Sequence, residues 1–182
     1  MLQAKISFPG DPYRASDPVR ESPLFNDLTD EAINGFLSRA HPRRYQRGQY
    51  LFTQGESVRN FYIIQDGIVR LFRITPGGDE VTTDILIGGN LVCERKVFKY
   101  NGIHPDYALA IEDSTLLEFP LMWVREHVCK NPVLSLNMIS ILSQRSLLKD
   151  VESEHQATMS AAQLISCFLQ WLCSLHDFDP KG

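Results

Sequence analysis

Apolar and polar positions change rhythm twice along this chain. Thr29 is placed to cap a helix, with Asp30 and Glu31 in its first turn. Ala32, Ile33, Phe36 and Leu37 then form a helical apolar stripe, and Pro42 argues against its continuation. From about residue 43 to 120 the helical period disappears. Short apolar runs take over: Tyr50–Thr53, Phe61–Ile64, Ile68–Ile74, Val81–Leu86, Leu91–Val92, Tyr107–Ile111 and Thr115–Phe119. Gly48, Gly55, Asp66-Gly67, Pro76-Gly77-Gly78 and Gly88-Gly89 punctuate them. Strands interrupted at such short intervals predict an antiparallel sandwich, roll or barrel. Gly48, Gly55 and Gly67 stand where hairpins need a positive φ. In the Ile68–Ile74 run, Val69 and Leu71 are expected on one face, with Arg70 and Arg73 near the other.

After Pro120 the helical period returns. Met122, Trp123, Val124 and Val128 belong to a short helix ending at Asn131-Pro132. A long helix follows, with Pro132 suited to its first turn. Leu134, Ile141 and Leu148 recur every seven residues, with Met138, Arg145 and Glu152 as the intermediate series. Such a seam predicts a partner helix, most simply that of a second subunit. Ala161 to Leu175 reads as a further helix, too apolar for an exposed tail. Residues 1–22, rich in proline and poor in apolar side chains, read as an extended arm or a mobile tail.

Composition narrows the function. The 182 residues are 43% hydrophobic and carry a formal net charge of −4. A DNA-binding domain usually carries a basic excess; this chain has none and by itself should bind DNA poorly. No apolar run approaches the roughly 18 residues of a membrane span, and the N-terminus lacks a signal-peptide pattern, so a cytoplasmic protein with no membrane partner is expected. Cys93, Cys129, Cys167 and Cys173 form no C-x-x-C pair and are read as free thiols. The five histidines are scattered, which speaks against a metal-dependent β-roll enzyme. The exposed basic run Arg43-Arg44-Arg47 reads as a solvated strand edge.

Several ordered motifs resemble the cyclic-nucleotide-binding domain of the CRP/FNR superfamily of transcription regulators. They are Tyr45-x-x-Gly48-x-x-Leu51-Phe52-x-x-Gly55-Glu56, Phe61-Tyr62-Ile63-Ile64-x-x-Gly67-x-Val69-x-Leu71, and Ala110 to Pro120. Ser22-Pro23-Leu24-Phe25 and Gln163 to Leu172 are similar as well. The resemblance implies a mainly β fold with flanking helices: a double-stranded β-helix, or jelly roll, followed by a long C-terminal dimerisation helix. It implies an N-terminal arm (1–22), an effector-binding roll (23–131), a dimerisation helix (132–157) and the start of a helix-turn-helix DNA-binding domain (158–182), whose remainder is expected beyond this chain. A homodimer is implied, with Leu134, Met138, Ile141, Arg145 and Leu148 at its interface. DNA would be contacted only through the missing C-terminal domain.

In members that bind cyclic AMP, a glutamate holds a ribose hydroxyl and an arginine, followed by a small or hydroxyl residue, grips the cyclic phosphate. Here Glu94 matches the glutamate, Cys93 replaces the glycine before it, and His104-Pro105 replaces the arginine pair. Histidine is mostly neutral at pH 7 and proline offers no N–H, so an effector other than cyclic AMP is expected. Its candidate contacts are Cys93, Glu94, Arg95, His104, Tyr107, Arg145 and Leu148. Arg95 and Lys96 are sources of positive charge. Glu94 is read either as a ligand contact or as a partner of Arg95, Lys96 or Arg70, and His104 as more at home on an exposed loop. Cys93 has three readings: packing thiol, redox thiol, or haem ligand, as in the carbon-monoxide-sensing branch of the superfamily. An iron–sulfur cluster is disfavoured because residues 1–22 contain no cysteine. The alternatives are a regulatory domain of an enzyme or channel in the same fold, or a haem-based gas sensor.

Overall fold

A computed structural model describes residues 17–99 and 102–158, the side chains of 148–158 excepted. The described residues form eight strands and three α-helices, in the order α1 (Asp30–Leu37), β1 (His41–Tyr45), β2 (Tyr50–Phe52), β3 (Asn60–Asp66), β4 (Val69–Ile74), β5 (Glu80–Leu86), β6 (Leu91–Val92), β7 (Tyr107–Ala110), β8 (Ser114–Pro120), α2 (Leu121–Lys130) and α3 (Pro132–Thr158). The strands make two antiparallel sheets, β1-β8-β3-β6 and β2-β7-β4-β5. Every non-consecutive neighbour in these orders is a crossover between sheets, as in the jelly roll the sequence predicts.

Each predicted run becomes a strand, and one strand went unnamed as a run. Strand β1 is polar over His41–Arg44 and buries only Tyr45. It has no apolar period to betray it, because it is an edge strand paired on one side to β8. Strand β3 explains the opposite pattern. Phe61, Tyr62, Ile63 and Ile64 are all buried. Tyr62 and Ile64 join Phe52, Val69, Leu86, Val92, Ala108 and Leu116 between the sheets. Phe61 instead meets Phe119, which packs with Phe36 of α1 and Trp123 of α2. A strand covered on both faces reads as an unbroken apolar run.

Local devices hold the frame. The Thr29 hydroxyl accepts from the Ala32 N–H, as an N-cap should. Gly67 has φ +95°, and a Cβ there would lie 2.6 Å from the Ser114 Cα, so the β3–β4 turn and β8 approach too closely for any side chain. The described end of the arm is folded rather than extended: Val19 is buried, and the Pro18 carbonyl lies 2.6 Å from where a Gly89 Cβ would stand.

The chain divides into two compact units, residues 1–138 and 139–182. In the first, the start of α3 is capped by Asn131, whose Oδ1 accepts from the Val133 and Leu134 N–H groups. Asn137 donates to the Leu24 and Asn26 carbonyls. Leu134 and Met138, expected at a dimer seam, are 2% and 0% exposed within this single chain. Their burial by their own subunit gives them a packing role there, which the seven-residue period did not distinguish from a seam. In the second unit Ile141 is buried and Arg145 half-buried. The Leu148 side chain and the helix expected over 161–175 lie outside the described residues.

Candidate functional site

The segment that follows β6 begins with an unusual backbone. Cys93 has φ 71° and ψ 17°, left-handed geometry that glycine adopts freely and other residues at a cost of about 1 kcal/mol. It precedes a 3-10 turn, Glu94–Lys96. Beyond it, residues 102–104 are laced to the loop before β3. Gly55 N–H donates to the His104 carbonyl at 2.9 Å, His104 N–H to Glu56 at 2.8 Å, and Val58 N–H to Gly102 at 3.0 Å.

This lacing carries His104 inward. The histidine expected on an exposed loop is 4% exposed. Its ring stacks on Phe52 with centroids 3.5 Å apart, and its Nδ1 lies 3.8 Å from Cys93 Sγ. Burial, then the charge of Lys96, pushes its pKa down to about 4, so it is neutral at pH 7. Burial, then Glu94, pushes the Cys93 thiol up, keeping it protonated. With both groups neutral, the sulfur and Nδ1 share a hydrogen-bond contact whose donor is set by the imidazole tautomer. These residues do not fit a haem ligand: iron takes cysteine as thiolate, and here burial opposes the thiolate.

Glu94 is buried, and its Oε1 lies 3.6 Å from Arg95 Nε, so of the three cations weighed as partners Arg95 is within ion-pair reach. Arg70 instead reaches Glu80 at 2.9 Å and Thr82 at 2.8 Å while stacking on Phe72. Tyr107 does not join the Cys93–His104 group. Ala108 takes the inward position on β7, so Tyr107 falls on the opposite face, stacked on Phe72 at 5.1 Å. Arg145 belongs to the second unit, and the Leu148 side chain is not among the described residues.

Four participants escaped sequence reasoning. Arg73 shares the inward parity of Val69 and Leu71, contrary to expectation, and its Nε donates to Asp106 Oδ1 at 2.7 Å. The Thr83 hydroxyl donates to the same oxygen at 3.1 Å. Arg125 of α2, 8% exposed, donates to the carbonyls of Lys96, Val97 and Lys99, tying the cassette turn to α2. No motif announces these contacts, since the partners stand 23 to 33 residues apart. Arg125 had a weak signal, a charge on the apolar side of a short helix.

Residues 42–126 match the family described as Cyclic nucleotide-binding domain. The Cyclic AMP receptor protein of Thermus thermophilus is 31% identical over 134 residues, 74% of this chain and 62% of that protein. The Fumarate and nitrate reduction regulatory protein of Escherichia coli K12 is 30% identical over 118 residues, 65% of this chain and 46% of that protein. The crystal structure of the Thermus thermophilus Catabolite Activator Protein superimposes with a TM-score of 0.67 at 31% identity, covering 75% of this chain and 63% of that one. The chain thus spans about half to three fifths of the length of these curated relatives. The relatives matched are regulatory proteins rather than enzymes.

Proposed function

On the premise that residues 42–126 are a cyclic nucleotide-binding domain in a chain related to the CRP/FNR regulators, we propose that the protein is the effector-sensing and dimerising region of a cytoplasmic transcription regulator, tuned to a small molecule other than cyclic AMP. One observation carries the ligand half of this reading. At the place of the phosphate-gripping arginine stands His104, buried, neutral, stacked on Phe52 and 3.8 Å from Cys93. A neutral ring in that setting offers a cyclic phosphate no ion pair, whereas an arginine offers two charge-assisted hydrogen bonds.

A switch follows from Arg125. An effector that reshapes the 94–99 turn pulls on three carbonyls held by one guanidinium of α2. A single residue, Asn131, separates α2 from α3. Two arrangements of that junction, differently favoured by effector, would reorient whatever α3 carries. In the regulator reading α3 carries a DNA reader that begins near residue 158.

Dimerisation uses a face of α3 other than the seven-residue series. Leu136, Ile139 and Leu147 are 64%, 55% and 66% exposed. Their spacings of three and eight put them within one helical stripe. Three such residues in water are the natural contact for the same stripe of a second copy. In this reading Leu134 and Met138 shape the subunit, and the partner covers Leu136, Ile139 and Leu147.

Light scattering and titration calorimetry test the proposal together. A dimer that Leu147→Glu converts to monomer, with no heat from cyclic AMP at micromolar concentration, is the expected result. A monomeric wild-type chain, or micromolar cyclic AMP binding, overturns it. The absorption spectrum should lack a Soret band.

A further inference from the structure

The cassette, the stretch between β6 and β7, ends in residues folded against their own polarity. Residues 102–104 run strand-like along the loop before β3. An isolated antiparallel bridge pairs Ile103 with Ser57. The Gly55 and Val58 N–H groups donate to the His104 and Gly102 carbonyls at 2.9 and 3.0 Å, and the His104 N–H donates to the Glu56 carbonyl at 2.8 Å. Side chains alternate along such a stretch, so Ile103 and His104 take opposite sides. The imidazole takes the inner one: it is 4% exposed, against 58% for Ile103. Its ring lies on Phe52, which belongs to the apolar core between the sheets, and its Nδ1 faces Cys93, which packs against that core.

The ordinary partition is the reverse. Water favours a ring with two polar nitrogens, and a core gains more from a branched alkyl chain. The two side chains are of similar bulk, so either fits the same space. What holds the inversion is a short ladder of backbone hydrogen bonds. Pro105, the next residue, has no N–H with which to extend it. A one-residue slip of a strand turns every side chain to the other face.

We infer that residues 102–104 are a two-position segment. In the observed position His104 fills the inner end of the cassette; a one-residue slip against residues 55–58 turns Ile103 in and His104 out. The lacing to residues 55–58 and the stack on Phe52 favour the first position. The polarity of His104 and the apolar chain of Ile103 both favour the second. This rests on the reading that the cassette takes an effector, and it adds what the effector acts on: by favouring one position it decides whether the imidazole faces the core or the rim.

Amide hydrogen exchange of the whole chain, in urea below the unfolding transition, tests this. The Gly55, Val58 and His104 amides should share one opening, faster than that of β3 and β8 and nearly independent of urea, as a local rearrangement is. His104→Leu should slow that opening about tenfold or more, since the inner side chain is then apolar. Ile103→Ser should slow it by a similar factor while barely moving the urea midpoint. An isoleucine that is merely exposed would leave the opening unchanged, so this variant separates a second position from simple fraying. Exchange of the three amides only at the rate of β3 and β8, or wild-type opening in Ile103→Ser, overturns the proposal. The parent reading fails separately: a monomer with the Ile103-dependent opening keeps the two-position segment and loses the regulator. A dimer whose segment opens only on global unfolding does the reverse.

Discussion

Two stretches of this protein carry comparable positive charge and put it to opposite use. Strand β1 and its turn hold Arg43, Arg44 and Arg47; the cassette holds Arg95, Lys96 and Lys99. On β1 all three arginines are exposed, and Arg43 meets Glu118 across 3.5 Å at the edge of the sheet. Exposed pairs of this kind contribute little, and the charges chiefly keep an open edge from pairing with another chain. In the cassette, Lys96 is half-buried, its neighbour Glu94 is buried, and the backbone carbonyls of the turn are taken by the buried Arg125. Charge becomes selective where water is removed from around it, because only there does each group depend on its partners.

That contrast can be broken at four points, in order of expected size. Arg125→Gln should lower stability by about 3 kcal/mol, since it strands the carbonyls of Lys96, Val97 and Lys99 in a buried site. Urea denaturation reads this, and a loss under about 1 kcal/mol would mean that the turn holds itself. Next comes pH. The folded pKa of His104 is about 4 against 6.5 for the free side chain, so between these values the unfolded chain binds more protons. Stability from this group is therefore complete above pH 6.5 and falls as pH drops through 4, by up to about 3 kcal/mol. Lys96, Glu56 and Asp106 surround the ring electrostatically, so His104→Gln is the control: it should flatten that part of the pH–stability curve. An unchanged slope in the variant assigns the effect to another group.

Smaller is the backbone effect at Cys93. Cys93→Gly should be more stable than Cys93→Ala by about 1 kcal/mol, because only glycine relieves the left-handed conformation. Equal midpoints in denaturant would remove the strain argument. Least of all, Arg44→Gln should change stability by under about 0.5 kcal/mol, measured in the same way. A larger loss there would erase the distinction between the two basic stretches.

The regions also differ in how far they could be read from the residues alone. Strands with an apolar period, the Thr29 cap and the positive-φ glycines at 48, 55 and 67 were legible, and each is found. Strand β1 lacked an apolar period and was anticipated only as a basic edge. Cys93, Glu94 and His104 were named because they sit where a familiar motif would. The inward turn of His104, the outward turn of Tyr107 and the pairing of Arg73 with Asp106 were not legible. They depend on which parity each strand buries and on the lacing of residues 102–104 to residues 55–58. The long helix shows the same limit. Its apolar positions are visible in the sequence, but Leu134 is buried and Leu136 exposed because of where α1, α2 and the roll already lie.

The sequence by itself determined the β shell and its flanking helices. These follow from local periodicity, turn chemistry and residue identity, each readable over a few neighbours. Only the tertiary structure decided that His104 is enclosed against Phe52, that Arg125 grips the turn after Cys93, and that Arg73 pairs with Asp106. Burial and long-range proximity set the protonation and partners of these groups, and neither is a property of any short stretch of chain.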